Sequence, residues 1–207
     1  MIDEGYIKYH CRWLHSKPLH VAETIEINEW RNKLHQLGLI GQYSNGIGFG
    51  NISIRYKRTG KFLISGTQTG HLSCLTPSHY ALVIDFDINK NSLTCKGPIK
   101  ASSESLTHAA IYNASSAVNA VIHVHHLELW KRLMNKVPTS SVDLSYGTPE
   151  IAKEIIRFFK EDNLIEEKIL VMGGHEEGII SIGRNLSEAG EILLKYYNAN
   201  IGAAVGS

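Results

Sequence analysis

The segment Val121-Ile122-His123-Val124-His125-His126 constrains this chain more than any other. Apolar residues at 118, 121, 122 and 124 mark residues 118–125 as a strand, and on a strand side chains two apart share a face. His123 and His125 therefore lie about 6.5–7 Å apart along one face, close enough to converge on one ion. His126 falls on the opposite face, where a structural use, or one in support of the ligands, is expected. Two imidazoles in an otherwise apolar strand are costly to bury unless something satisfies them. A catalytic zinc site commonly takes three protein ligands and keeps one position open, so a third ligand must come from elsewhere. A solvent-facing strand would carry the same pair without a metal.

Around this strand the patterning switches repeatedly between helix and strand. A helix is expected over residues 21–37, with Val21, Ile25, Leu34 and Leu37 at helical spacing and Gly38 to stop it. Residues 41–50 carry a glycine at nearly every second or third position, show no period, and read as a loop. Strands are expected over 51–56, 61–65, 81–86 and 92–95, the first two paired across Arg58-Thr59-Gly60. A helix opens at Ser102-Ser103 and runs to about 113, and a short one covers about 127–134. Thr148-Pro149-Glu150 begins another, ending near 161. Strands over 168–172 and 178–182 flank Gly173-Gly174-His175, and a last helix spans about 187–198. No regular βαβ repeat emerges and several neighbouring strands look hairpin-connected. The expected architecture is a layered α/β fold with a mainly antiparallel sheet, organised as a single domain over residues 1–207 with residues 1–20 peripheral.

Charge narrows the partners. With 21 basic and 20 acidic side chains the formal net charge is +1, which gives no general attraction to nucleic acid or to an anionic membrane. Any anion must be captured locally. No apolar run approaches the roughly 20 residues of a membrane span, and Met1-Ile2-Asp3-Glu4-Gly5 is too polar and acidic for a secretory signal. A cytoplasmic location is expected. Cys11, Cys74 and Cys95 are widely separated and odd in number, which reads as reduced thiols rather than a disulfide frame or a zinc knuckle.

Other segments carry candidate chemistry. Glu104 falls in the first turn of the helix before the histidine strand. It could reach a metal or a substrate C–H, or simply favour the helix dipole. Ser102 and Ser103 bring hydroxyls and free backbone N–H groups to the same helix start, a natural anion site, although capping accounts for one of them. His175, between Gly173-Gly174 and Glu176-Glu177-Gly178, suits a ligand position or an ordinary turn. Gly46-Ile47-Gly48-Phe49-Gly50-Asn51 looks like a dinucleotide fingerprint but leads into a strand where a helix is required. The polar loop from Ser65 to Gly70 could offer donors to a phosphate, and plain turn chemistry would explain it too.

Taken in order and spacing, Gly50 to Arg55, the Ser65 to Gly70 loop, Ser102-Ser103-Glu104 with His108, His123-Val124-His125, and His175 resemble the class II aldolase/adducin family over about residues 37–197. The resemblance implies a three-layer αβα fold and a divalent metal, zinc, held by His123, His125 and His175. Glu104 would be a further ligand of the free metal and an acid/base once substrate displaces it. A substrate phosphate would rest on Gly50, Asn51, Thr69, Gly70, Ser102 and Ser103, with Ser65-Gly66 fitting almost as well as Thr69-Gly70. The implied function is a metal-dependent lyase cleaving a small phosphorylated ketose through an enediolate. A sugar-phosphate epimerase, a dehydratase and a non-catalytic adducin-like interaction domain are the alternatives. Glutamate at 104 favours the aldolase, because the family's epimerases typically carry aspartate there. Two features depart from the pattern. The family often has glycine directly after its third histidine, so Glu177 rivals His175 as ligand here. The stretch after His125 is short and omits the region that supplies the aldolases' catalytic tyrosine, leaving Tyr146 as its substitute. The resemblance also implies a homotetramer with sites at subunit interfaces.

Overall fold

The computed structural model describes residues 6–57 and 59–201, so the polar start at residues 1–5 and Arg58 of the expected turn lie outside the described residues. Strand β1 (His10–His15) and helix α1 (Ile25–Gln36) precede a small hairpin of β2 (Gly41–Gln42) and β3 (Gly48–Phe49). Next come β4 (Asn51–Arg55), β5 (Phe62–Ser65), β6 (Tyr80–Asp87) and β7 (Ser92–Gly97). Helix α2 (Ser105–Ala114) leads to β8 (Ala120–His125), α3 (Leu127–Leu133), α4 (Pro149–Glu161) and the short α5 (Leu164–Glu167). Strands β9 (Ile169–Val171) and β10 (Gly178–Gly183) and helix α6 (Leu186–Asn200) complete the order.

Eight strands form one sheet in the order β1-β7-β6-β5-β4-β8-β10-β9. Every pairing is antiparallel except that of β1 with β7. The layered, mainly antiparallel architecture expected from the sequence is therefore the one adopted, with a parallel strand added at one edge. Residues 10–15 give no alternation to read, because an edge strand with mostly exposed side chains has no face to bury. Backbone pairing with β7 holds it, helped by Trp13 Nε1 donating to the Gly97 carbonyl at 3.0 Å.

Helices cover both faces. Phe62, Val83 and Ile180 of the sheet pack with Leu106 of α2 and Ile151 and Phe158 of α4. On the other face Ile52, Ile122 and Val124 pack with Ile27 of α1, Leu129 of α3 and Leu193 of α6. Among the described residues no helix is long and apolar enough to cross a membrane.

Two helix readings need correction. The expected helix over 21–37 is a 3-10 turn at Val21–Glu23 followed by α1, and its buried face shares Leu34 alone with the apolar stripe picked out in the sequence. Val21, Ile25 and Leu37 are exposed, whereas Ile27, Arg31 and Leu34 are buried. Arg31 can be buried because its Nη2 donates to the Thr69 and Gly70 carbonyls at 3.1 and 3.0 Å, satisfying part of the guanidinium away from water. Helix α2 also starts later than expected. Ser102 O accepts from Ser105 N and Ser105 Oγ at 3.0 and 2.7 Å, and this turn leaves Glu104 at the cap position rather than in the first turn.

Candidate active site

His123 and His125 extend from β8 on the α2 side of the sheet, and the turn between β9 and β10 brings His175 against them. All three are buried, and one ligand nitrogen from each lies within 4.8 Å of the others. His125 Nε2 and His123 Nε2 are 3.0 Å apart. His123 Nδ1 sits 3.3 Å from the Ile179 carbonyl oxygen. That oxygen only accepts, so Nδ1 carries the proton and Nε2 presents a bare lone pair. His125 Nδ1 lies 2.9 Å from the Tyr43 hydroxyl, which donates to Glu177 Oε2 at 2.6 Å. With its proton committed to the carboxylate, the tyrosine oxygen accepts from His125 Nδ1–H, and this tautomer turns the Nε2 lone pair toward His123.

Two imidazole lone pairs facing one another at 3.0 Å repel unless positive charge lies beside them. A proton is poorly suited, because burial and then the neighbouring His175 hold both imidazoles well below their ordinary pKa. A metal ion suits the donors. Tetrahedral zinc with Zn–N bonds of about 2.0–2.1 Å places adjacent nitrogens roughly 3.3 Å apart. On the chemistry and spacing of its donors, the site fits a divalent metal.

Of the two rivals for the third position, His175 lies with the pair. Glu177 sits on the outer side of His125, 4.0 Å from Nδ1 and joined to it through Tyr43. Its φ of +70° is in the left-handed region, which a side-chain-bearing residue holds only where its surroundings fix it. His126 has another use. On the far face of the strand it caps α3, its Nδ1 accepting from Leu129 N at 3.2 Å. His108 is fully buried against Ser53 Oγ at 2.7 Å, and burial pushes its pKa down to about 3.

Glu104 is buried beside the cluster, with Oε1 3.5 Å from His175 Nδ1. A cleft opens next to them. Gly50, Asn51, Thr69 and Gly70 line one part of it and Ser102 and Ser103 another, with Tyr146 at the His175 side. Ser65 is outside this lining: it belongs to β5, and its Oγ accepts from Ile52 N at 3.2 Å, whereas Gly66 to Gly70 all face the cleft. Two glycines here are geometric necessities. Gly50 has φ +74°, and a Cβ there would press on Ile40 and the His123 carbonyl. A Cβ at Gly70 would overlap the Gly41 carbonyl oxygen. The Asn51 side-chain oxygen is buried with no hydrogen-bond partner among the described residues.

Several neighbours escaped the sequence reading. Arg31 holds the Thr69-Gly70 carbonyls from behind, and Tyr9 donates to the Ser102 carbonyl at 2.9 Å. Phe49 packs on the His125 ring at 5.4 Å. Lys8 was also unanticipated: its Nζ lies 3.9 Å from the ring centroid of Tyr146, the tyrosine the sequence did offer, which stacks on His175 with centroids 4.7 Å apart. An arginine in register with Ile27 and Leu34 was the available sign for Arg31. The pairing of Tyr43 with Glu177 joins residues 134 positions apart and leaves no local trace.

A layered α/β fold with three buried histidines, a carboxylate beside them and a polar cleft built on glycine turns defines a protein with a candidate metal-dependent active site. The chain belongs to the class II aldolase/adducin family: the model of the Class II Aldolase and Adducin N-terminal domain matches residues 34–196. Solved structures similar to it include an L-fuculose 1-phosphate aldolase, with 18% identity over 92% of this chain and 90% of that one at a TM-score of 0.64. A sugar-phosphate aldolase from Thermotoga maritima is 18% identical over 91% and 98%, at 0.63. YgbL from Escherichia coli, whose description leaves aldolase, epimerase and decarboxylase open, is 17% identical over 90% of each chain, at 0.60. At these identities the likeness is one of fold. No curated protein matches the chain in sequence.

Proposed function

We propose that this chain is a metal-dependent lyase of the aldolase type, cleaving a small phosphorylated ketose to dihydroxyacetone phosphate and an aldehyde. The observation that carries the proposal is the meeting of His123 Nε2 and His125 Nε2 at 3.0 Å, with His175 and the buried Glu104 carboxylate beside them. His123, His125 and His175 would hold the metal, with Glu104 a further ligand until substrate arrives. Zinc is the preferred ion, because an all-imidazole set suits it. When bound, the metal supplies a Lewis acid for the negative charge of an enediolate.

The chain's own groups supply the rest. Glu104 would take up and return the proton that aldol cleavage moves from the hydroxyl beside the breaking carbon–carbon bond. Tyr146, fixed against His175, is the second candidate for proton transfer. The cleft lining contains hydroxyls, amides and glycine backbone, with neither lysine nor arginine among the described residues that form it. A phosphate there would be held by neutral donors from Gly50, Asn51, Thr69, Gly70, Ser102 and Ser103. We take the chain to act as one domain in the cytoplasm, as a homotetramer.

Metal analysis of the purified protein, followed by assay of a panel of ketose 1-phosphates with and without chelator, tests the proposal. Zinc-dependent release of dihydroxyacetone phosphate is expected. Activity surviving complete metal removal would overturn it, and an epimer or a dehydrated product by NMR would replace the aldolase with another reaction of the same site. Light scattering that finds a monomer would remove the tetramer.

A further inference from the structure

We infer that Tyr43 and Glu177 form a relay that sets the tautomer and orientation of His125, and so determine how tightly the site holds its metal. The inference rests on the proposal that His123, His125 and His175 bind a divalent ion, and goes beyond it to residues that would touch neither metal nor substrate.

Three observations converge on Tyr43. Its hydroxyl lies 2.9 Å from His125 Nδ1 and donates to Glu177 Oε2 at 2.6 Å, a short bond of the kind a charged acceptor makes. Its ring is packed on Phe49 at 4.6 Å, and Phe49 in turn lies 5.4 Å from the His125 ring. The small hairpin of β2 and β3 carries both aromatics: Tyr43 N donates to Ile47 O and Gly46 N to Tyr43 O, which closes the hairpin around Tyr43. On the other side, Glu177 occupies a left-handed backbone conformation two residues after His175. The His126 N–H donates to its carbonyl at 3.1 Å, tying that turn to the end of β8. The relay thus joins the glycine-rich hairpin, the histidine strand and the turn that carries His175.

Its chemistry follows from what each atom can donate. An ionised carboxylate only accepts, so Glu177 takes the tyrosine proton in its hydrogen bond; the tyrosine oxygen accepts from His125 Nδ1–H; and Nε2 is left with its lone pair facing the cluster. Negative charge at Glu177 also raises the donor strength of the imidazole through the hydroxyl. Tyr43 and Glu177 are positioning residues in this scheme. Glu177, which the sequence offers as an alternative ligand, acts instead through another side chain.

Metal affinity, measured on the metal-free protein by competition with a chromophoric chelator, tests this without recourse to turnover. Tyr43→Phe and Glu177→Gln are each expected to weaken zinc binding by about 10- to 100-fold, and the double variant by no more than about the larger single effect, because the two residues act in series. Asn45→Ala, at the hairpin tip and outside the relay, should leave affinity within about twofold. With cobalt at saturation as a spectroscopic probe, Glu177→Gln should shift the visible d–d bands, which loss of general stability would not do. Circular dichroism of each metal-free variant checks that the fold persists. If folded Tyr43→Phe binds zinc as the parent does, the relay is overturned. If the parent itself binds no divalent metal, it is the proposed function that fails.

Discussion

Strand β8 has two faces that behave as different materials. His123 and His125 on one face meet His175 and Glu104, while Ile122 and Val124 on the other are packed in hydrocarbon beneath α1, α3 and α6. One backbone thus supplies a polar site on one side and rigidity on the other. Buried polar groups are tolerable only where partners satisfy them, so concentrating them on one face leaves the opposite face free to pack closely. The division predicts that adjacent substitutions separate function from stability. His123→Ala should leave a folded protein whose bound metal is nearly abolished and whose activity falls by about 10³-fold or more, the scale of several kcal/mol of Lewis-acid stabilisation. Elemental analysis beside a thermal melt checks it. Full metal content in this variant would break the assignment of that face.

The neighbouring position should do the reverse. Ile122 is fully buried, and Ile122→Ala leaves a cavity that costs about 2–5 kcal/mol of stability. Chemical denaturation should find that loss, while protein that remains folded binds metal with near-parental affinity. An affinity loss matching that of His123→Ala would mean that the two faces are not separable.

This division was legible in the sequence because the period of a strand is two: His123 and His125 inside an apolar run could only point one way. The mainly antiparallel layering was legible for a related reason, since hairpin-spaced strands leave alternating patterns on both sides of a glycine turn. Features built from distant pieces were not. Arg31 takes a core position on α1 because two carbonyls some forty residues away accept its hydrogen bonds; its register with Ile27 and Leu34 hints at burial, but the partners that make burial tolerable leave no trace in the helical period. Strand β1 joins the sheet through backbone pairing with β7 while its side chains stay mostly exposed, so residues 10–15 carry no pattern. Tyr43 sits in a glycine-rich hairpin whose composition signals a turn but not its hydrogen-bond partner.

Acid should expose the polar face before the apolar one. His108, on the same side of the sheet as His123, has a pKa lowered to about 3 by burial, against about 6.5 in the unfolded chain. From pH 6.5 downward the unfolded state takes up a proton that the native state refuses until about pH 3, so stability is retained at neutral pH and lost as pH falls through that window. Between pH 7 and pH 5 the loss from His108 alone is about 2 kcal/mol. In the metal-free protein His123 and His125, also lowered by burial, act in the same direction. Denaturation of metal-free protein at the two pH values measures the sum, and added zinc, which also keeps the native imidazoles unprotonated, should raise stability at both pH values without lessening that loss. A loss in the metal-free protein well below about 2 kcal/mol would mean that His108 takes up its proton in the folded chain.

The smallest effect falls at the residue that most resembles the ligands. His126 follows His125 directly, yet its side chain is on the far face, where Nδ1 accepts from Leu129 N and the ring meets Tyr197 edge-on at 5.4 Å. Its backbone N–H, bound to the Glu177 carbonyl, does not depend on the side chain. His126→Ala should therefore cost about 1 kcal/mol, the usual worth of a helix cap, with metal affinity unchanged. His126→Asn, which restores a capping acceptor, should recover part of that stability. A fall in metal affinity in His126→Ala would mean that the third histidine of the run shares the site, and the alternation that separates the two faces of β8 would fail at its last residue.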